Sequence, residues 1–181
     1  VFPVRDVMNL RFFFFPRRIS FRLLLFMISG STCPGISAAG VPGLLEWPAR
    51  VEAGRKTDIP CSTCDYFPTV LGALGFRMKG QPEPVDGVSL LPLIDGKMGK
   101  RPVPIGFESN KQVSLTDNRY KIYSKDGGRN FMLFDLLEDP AESRDIAAEK
   151  PQILHSMKAA LATWRQSCKN SLAGKDYSEN R

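Results

Sequence analysis

Apolar and polar positions follow three rhythms along this chain. In "MNLRFFFFPRRISFRLLLFMISGS", residues 8–31, apolar blocks alternate with arginines, and only Leu23 to Ile28 run unbroken. That is far short of the roughly 20 apolar residues a membrane-spanning helix needs. From Gly40 the spacing tightens. Leu44, Leu45 and Trp47, bracketed by Pro42 with Gly43 and by Pro48, predict a short buried strand with turns at both ends. "TDIPCSTCDYFPTVLGALGF" then predicts a helix, with Thr63 or Asp65 accepting from the free N–H groups at its start. Pro68 in the first turn costs no hydrogen bond, because those donors lack intrahelical partners. Val70, Leu71 and Leu74 supply the apolar face, and Gly75 a natural stop. Residues 76–100, rich in Gly and Pro, read as a connecting loop with one anchored turn around Val88 to Ile94.

The second half changes period. "PVPIGFES", "QVSLTDNRYKIYS" and "FMLFDLL" carry the β-branched and aromatic content of strands. "TDN" and "SKDGGRN" carry turn chemistry, with Gly127 and Gly128 free to adopt positive φ. "EKPQILHSMKAALATWRQSCKNSLAG" is an amphipathic helix with Pro151 near its start, and Ile153, Leu154, Met157, Leu161, Trp164 and Cys168 on one stripe. His155, the chain's single histidine, falls on the opposite side and reads as solvated. The expected fold class is α+β: a small antiparallel sheet covered by a C-terminal helix, preceded by a strand, loop and helix from the edge of a larger α/β layer.

Charge changes this picture little. Of the formal +6 over 181 residues, residues 1–30 supply +4 through five arginines set against Asp6. The remaining body is nearly neutral, so no basic face for tracking nucleic-acid phosphates is expected. The N-terminal segment has the layout of a poor secretory signal, interrupted by Arg22. If it is a genuine signal the chain is secreted or periplasmic; otherwise residues 1–39 are a leader outside the fold. The four cysteines, Cys33, Cys61, Cys64 and Cys168, dictate no disulfide pairing. Cys61 and Cys64 form a lone CxxC without the further ligands of a zinc site, and read as ordinary thiols at a loop-to-helix junction.

Several strings, taken together and in order, resemble the sulfatase family of the alkaline-phosphatase-like superfamily. "VPGLLEWPARV" looks like the strand after that family's R-x-P turn, and "DYFPTVLGALG" like its D-x-x-P-T helix. "DGVSLLPLIDG" matches D-G-x-S-L-x-P-x-L. "DNRYKIYS" followed by "FMLFDLLEDPAESRDIA" is similar to the closing hairpin and its L-Y-D-L-x-x-D-P-x-E-x-x-N-L-A signature. The resemblance covers Gly40 to Tyr177 and implies three segments: the leader 1–39, a remnant of the α/β domain with its connecting loop at 40–100, and a C-terminal subdomain at 101–181.

The resemblance implies hydrolysis of sulfate esters. In that family a cysteine or serine in C-x-P-x-R becomes formylglycine, and a calcium ion held by Asp and Asn oxygens stabilises the sulfuryl oxygens. This sequence lacks those parts. Cys33 is followed directly by Pro34, with Ser37 where an Arg is required, and no other Cys or Ser completes the motif. Leu23 to Ala49 contains neither Lys nor Arg, and Gly40 stands where the R-x-P arginine belongs. No catalytic residue, metal ligand or cofactor is therefore expected in this chain, although calcium and formylglycine are expected in an intact relative.

The leading expectation is the C-terminal portion of a sulfatase acting on aryl or carbohydrate sulfates, inactive alone. Competing with it are a non-catalytic module binding carbohydrate or protein, and an unrelated enzyme. Substrate contact is expected at Ser109, Asn110 and Lys111, the loop after "PIGFES", where Lys111 could attract a sulfated sugar. Alone, the 41–75 segment is expected to leave an apolar edge open to self-association. The acidic run Glu138, Asp139, Glu142 and Asp145 reads as punctuation between the last strand and the final helix rather than a metal site, with Asp139 and Pro140 forming the turn that ends the strand.

Overall fold

A computed structural model describes residues 43–76 and 85–175. The chain divides into two compact units, one containing Gly40–Lys56 and the other Thr57–Arg181. The proposed leader, residues 1–39, lies outside the described residues.

In the first unit the expected buried strand is corrected. Among its described residues only Glu46 is bridged, and Leu44 is 54% exposed. Trp47 is buried, and its carbonyl accepts from the N–H groups of Arg50 (2.9 Å) and Val51 (2.8 Å) to close a turn. Pro48, which has no N–H to offer a ladder, sits inside that turn and stops strand propagation.

The second unit opens with helix α1, Tyr66–Leu74, preceded by one 3₁₀ turn at Thr63–Asp65. The start signal differs from expectation. Ser62 caps the turn by accepting from Cys64 N, and the Asp65 carboxylate reaches back 2.7 Å to the N–H of Ser62, so the two make a capping box. Gly75 ends the helix at φ 72°, a conformation that costs glycine little. The apolar face of α1 is largely uncovered: Phe67 is 48% exposed and Leu74 62%. The anchored turn in the connecting loop is helix α2, Leu91–Ile94, with Leu93 and Ile94 buried.

The four strands form an antiparallel meander in sequence order: β1 Ile105–Ser109, β2 Gln112–Thr116, β3 Tyr120–Ser124 and β4 Met132–Asp135. Helix α3, Pro151–Leu172, lies across one face, with Pro at its first turn where no donor is lost. Val113, Leu115, Ile122 and Leu133 point to that face and pack with Ile146, Met157 and Leu161. Trp164 sits directly over Gly106, where a Cβ would lie 2.3 Å from the indole ring. A glycine is thus what lets the helix reach β1. His155 is exposed, as its phase on the helix requires.

The acidic run after β4 resolves residue by residue. Asp145 Oδ1 accepts from Leu133 N (3.0 Å) while Ile146 N donates to Leu133 O (2.9 Å), so this segment covers the outer edge of β4. Glu142, held at φ 55°, places its carboxylate 2.6 Å from Lys121 Nζ, both side chains nearly inaccessible. Asp139 accepts from the N–H groups of Ser143 (2.7 Å) and Arg144 (2.8 Å). One detail is corrected: β4 ends at Asp135, and the turn over Leu136 to Glu138 comes before Asp139 and Pro140. Asp139 N donates to Asp135 O, so reversal begins as soon as the last paired residue is passed.

Candidate functional site

Two buried ion pairs organise the second unit. Asp65, fully inaccessible, receives the Arg101 guanidinium on both oxygens, at 2.6 Å and 2.9 Å. It also accepts from Val88 N at 2.8 Å, and Thr69 Oγ1 accepts from Leu90 N at 2.8 Å. "DYFPT" and "DGVSL" are thus locked side chain to backbone. Gly87 lies so close to the Cys64 carbonyl that a Cβ there would be 2.0 Å from its oxygen. Burial pushes the Asp65 carboxyl up, but the Arg101 bonds and the N–H groups of Val88 and Ser62 outweigh it and hold it below its ordinary value. Arg101 also donates to Val103 O at 2.7 Å, and its backbone bonds the Asn118 side chain in both directions, which fixes the approach to β1.

At the far end of β1 lies the expected substrate loop. Ser109 closes the strand and pairs with Gln112, so Asn110 and Lys111 alone make the turn. Their φ values are 47° and 69°, the two positive values a type I′ hairpin requires. Asparagine tolerates that region; lysine rarely occupies it. All three residues are exposed. Lys111 O accepts from Gly127 N at 2.7 Å, which ties this turn to the β3–β4 loop. That loop is built on Asp126, which accepts from the N–H groups of Arg129 and Asn130, both at 3.0 Å, and from Ser124 Oγ at 2.7 Å. The Asn130 N–H and the Ser124 hydroxyl hold the Asp126 carboxyl far below its usual range. This end of the sheet therefore exposes Lys111, Lys125 and Arg129 from two mutually braced loops. A cleft of about 330 Å³ lies at the opposite end, beside Asn118 and Lys100. Its arginine and asparagine are committed to the bonds above, so it offers less unengaged polarity than its size suggests.

The described residues do not assemble a calcium-type ligand set. Among the described residues no three His, Cys, Asp or Glu side chains converge, and Asp65, Asp135, Glu142 and Asp145 are each engaged by arginine, lysine or backbone N–H. Cys61, Cys64 and Cys168 are free thiols outside any C-x-P-x-R context. Burial pushes the Cys61 thiol up, with the nearby Asp65 charge adding to it, the reverse of what an activated nucleophile needs. Sequence reasoning missed both buried ion pairs. Asp65 was visible only as a helix-start residue, and Lys121 only as one polar position in a strand.

No family model matches the chain. Human steryl-sulfatase is 44% identical over 61 residues, covering 32% of this chain and 10% of the relative. Human arylsulfatase D is 43% identical over 157 residues, covering 67% of this chain and 26% of the relative. The chain thus spans about a quarter or less of these relatives. Among solved structures, Ps i-CgsB is similar in fold, with a TM-score of 0.56 at 22% identity over 65% of this chain and 27% of that one. The same protein has also been solved with k-i-k-neocarrahexaose.

Proposed function

Since this chain is a relative of the sulfatases over two thirds of its length, we propose that it is the C-terminal portion of a sulfuric ester hydrolase. It supplies a substrate-facing hairpin but not the chemistry. Supporting the inert half of this reading, the sequence has no C-x-P-x-R, and the carboxylates of Asp65, Glu142 and Asp145 are engaged in holding the fold.

The observation that carries the substrate-facing half is the backbone of Lys111. A type I′ turn of this kind prefers glycine at its second position, and a lysine at φ 69° costs roughly 1–2 kcal/mol relative to glycine. Strain retained in an exposed turn points to a use for the side chain. A cation there, beside Ser109 and Asn110 and near the exposed Lys125 and Arg129, suits the sulfate group of an aryl or carbohydrate ester. The solved relative in fold that binds an oligosaccharide favours the carbohydrate.

Titration of the chain with a sulfated oligosaccharide and its desulfated counterpart tests this. Binding of the sulfated form alone, weakened several-fold by Lys111→Ala and by added salt, is expected. Equal binding of both forms, or an undiminished K111A, would contradict it.

A further inference from the structure

The two edges of the sheet are treated differently. The outer edge of β4 is covered by Asp145 and Ile146, whereas β1 has no backbone partner on its outer side among the described residues. The two-residue turn makes Ser109 and Gln112 a hydrogen-bonded pair, and the alternation of an antiparallel ladder then makes Phe107 and Ile105 bonded pairs as well. The N–H and C=O groups of Gly106 and Glu108 consequently point outward. No proline or lysine lies within Ile105–Ser109, and the strand's single charged residue, Glu108, is paired with Arg165 of α3.

We propose that this edge pairs with β1 of a second copy of the chain, about a two-fold axis through Phe107, to join two four-stranded sheets into one. The register is self-complementary. With Phe107 facing its own copy, Gly106 of each chain lies opposite Glu108 of the other, and these are the residues whose groups point outward. Four backbone hydrogen bonds form without any shift of the strand. Phe107, 56% exposed, then lies at a non-hydrogen-bonded site, where facing side chains approach most closely and two aromatic rings stabilise each other. On the helix side, Arg165 Nε donates to Glu108 at 2.9 Å, so the carboxylate that each copy brings to the seam is already paired within its own chain. This pairing is independent of any substrate role of Lys111.

The competing surface is the exposed stripe of α1, so two variants of the full chain separate them. Light scattering coupled to size exclusion, over a concentration series, is expected to show the wild type passing from monomer to dimer. Phe107→Lys places like charges face to face and is expected to remain monomeric with an unchanged melting temperature, while Leu74→Glu still dimerises. Should the lysine disturb the sheet, Phe107→Thr keeps strand propensity and is expected to shift the equilibrium toward monomer. A wild type that stays monomeric, association that survives F107K and F107T, or association that L74E abolishes would overturn the proposal.

Discussion

Asp65 shows how one residue can serve a helix start, a distant loop and a strand at once. Its carboxylate meets Arg101, Ser62 N and Val88 N, and removing it strands a guanidinium that is 3% exposed. Asp65→Ala is therefore expected to destabilise the chain by about 3–5 kcal/mol, read from the shift of the urea midpoint. The same bond has a pH signature. Because the folded state holds this carboxyl below its ordinary value, the stabilisation is fully present above the unfolded pKa, near 3.8, and is lost as pH falls through the folded value. Urea midpoints taken from pH 6 downward are expected to hold and then drop in the acid range, and Asp65→Asn to flatten that limb. A wild-type midpoint that rises on acidification would contradict this. Gly106 sets a purely steric limit: Gly106→Ala drives a methyl into Trp164, and a loss of at least ~1–3 kcal/mol is expected in the same experiment.

At the scale of elements, the meander and α3 were legible because each has its own period: two along the strands, helical along Ile153 to Trp164. Gly127 and Gly128 marked their loop in advance and adopt φ of 80° and 96°. The strand expected at Leu44 to Trp47 failed because an apolar run says nothing about whether a partner strand lies beside it. Neither buried ion pair was legible, since no local pattern links positions 36 or 21 residues apart. The Ser109–Lys111 turn was foreseen as an exposed loop, but its handedness was not, because Asn-Lys is a poor signal for a type I′ turn. That turn invites a two-sided test. Lys111→Gly is expected to stabilise the chain by about 1 kcal/mol by relieving a lysine at positive φ, while weakening capture of a sulfated oligosaccharide. A substitution that lowers stability would show that the side chain holds the hairpin rather than facing a ligand.

Over the whole molecule, the strings that resemble sulfatases are mostly the strings that hold this part of the fold together. "DYFPT" locks to "DGVSL" through Asp65 and Thr69, and the acidic run after β4 covers a sheet edge and buries a carboxylate against Lys121. Similarity to steryl-sulfatase and arylsulfatase D can therefore persist in a sequence without C-x-P-x-R, because it follows packing as well as chemistry. Among the described residues no helix is long and apolar enough to cross a membrane. The most direct measurement is hydrolysis of an aryl sulfate such as 4-nitrophenyl sulfate, with calcium supplied and an intact arylsulfatase as positive control. No release of nitrophenol above the uncatalysed background is expected. Turnover that follows the protein through purification would contradict the claim that this chain holds the scaffold of a sulfatase without its chemistry.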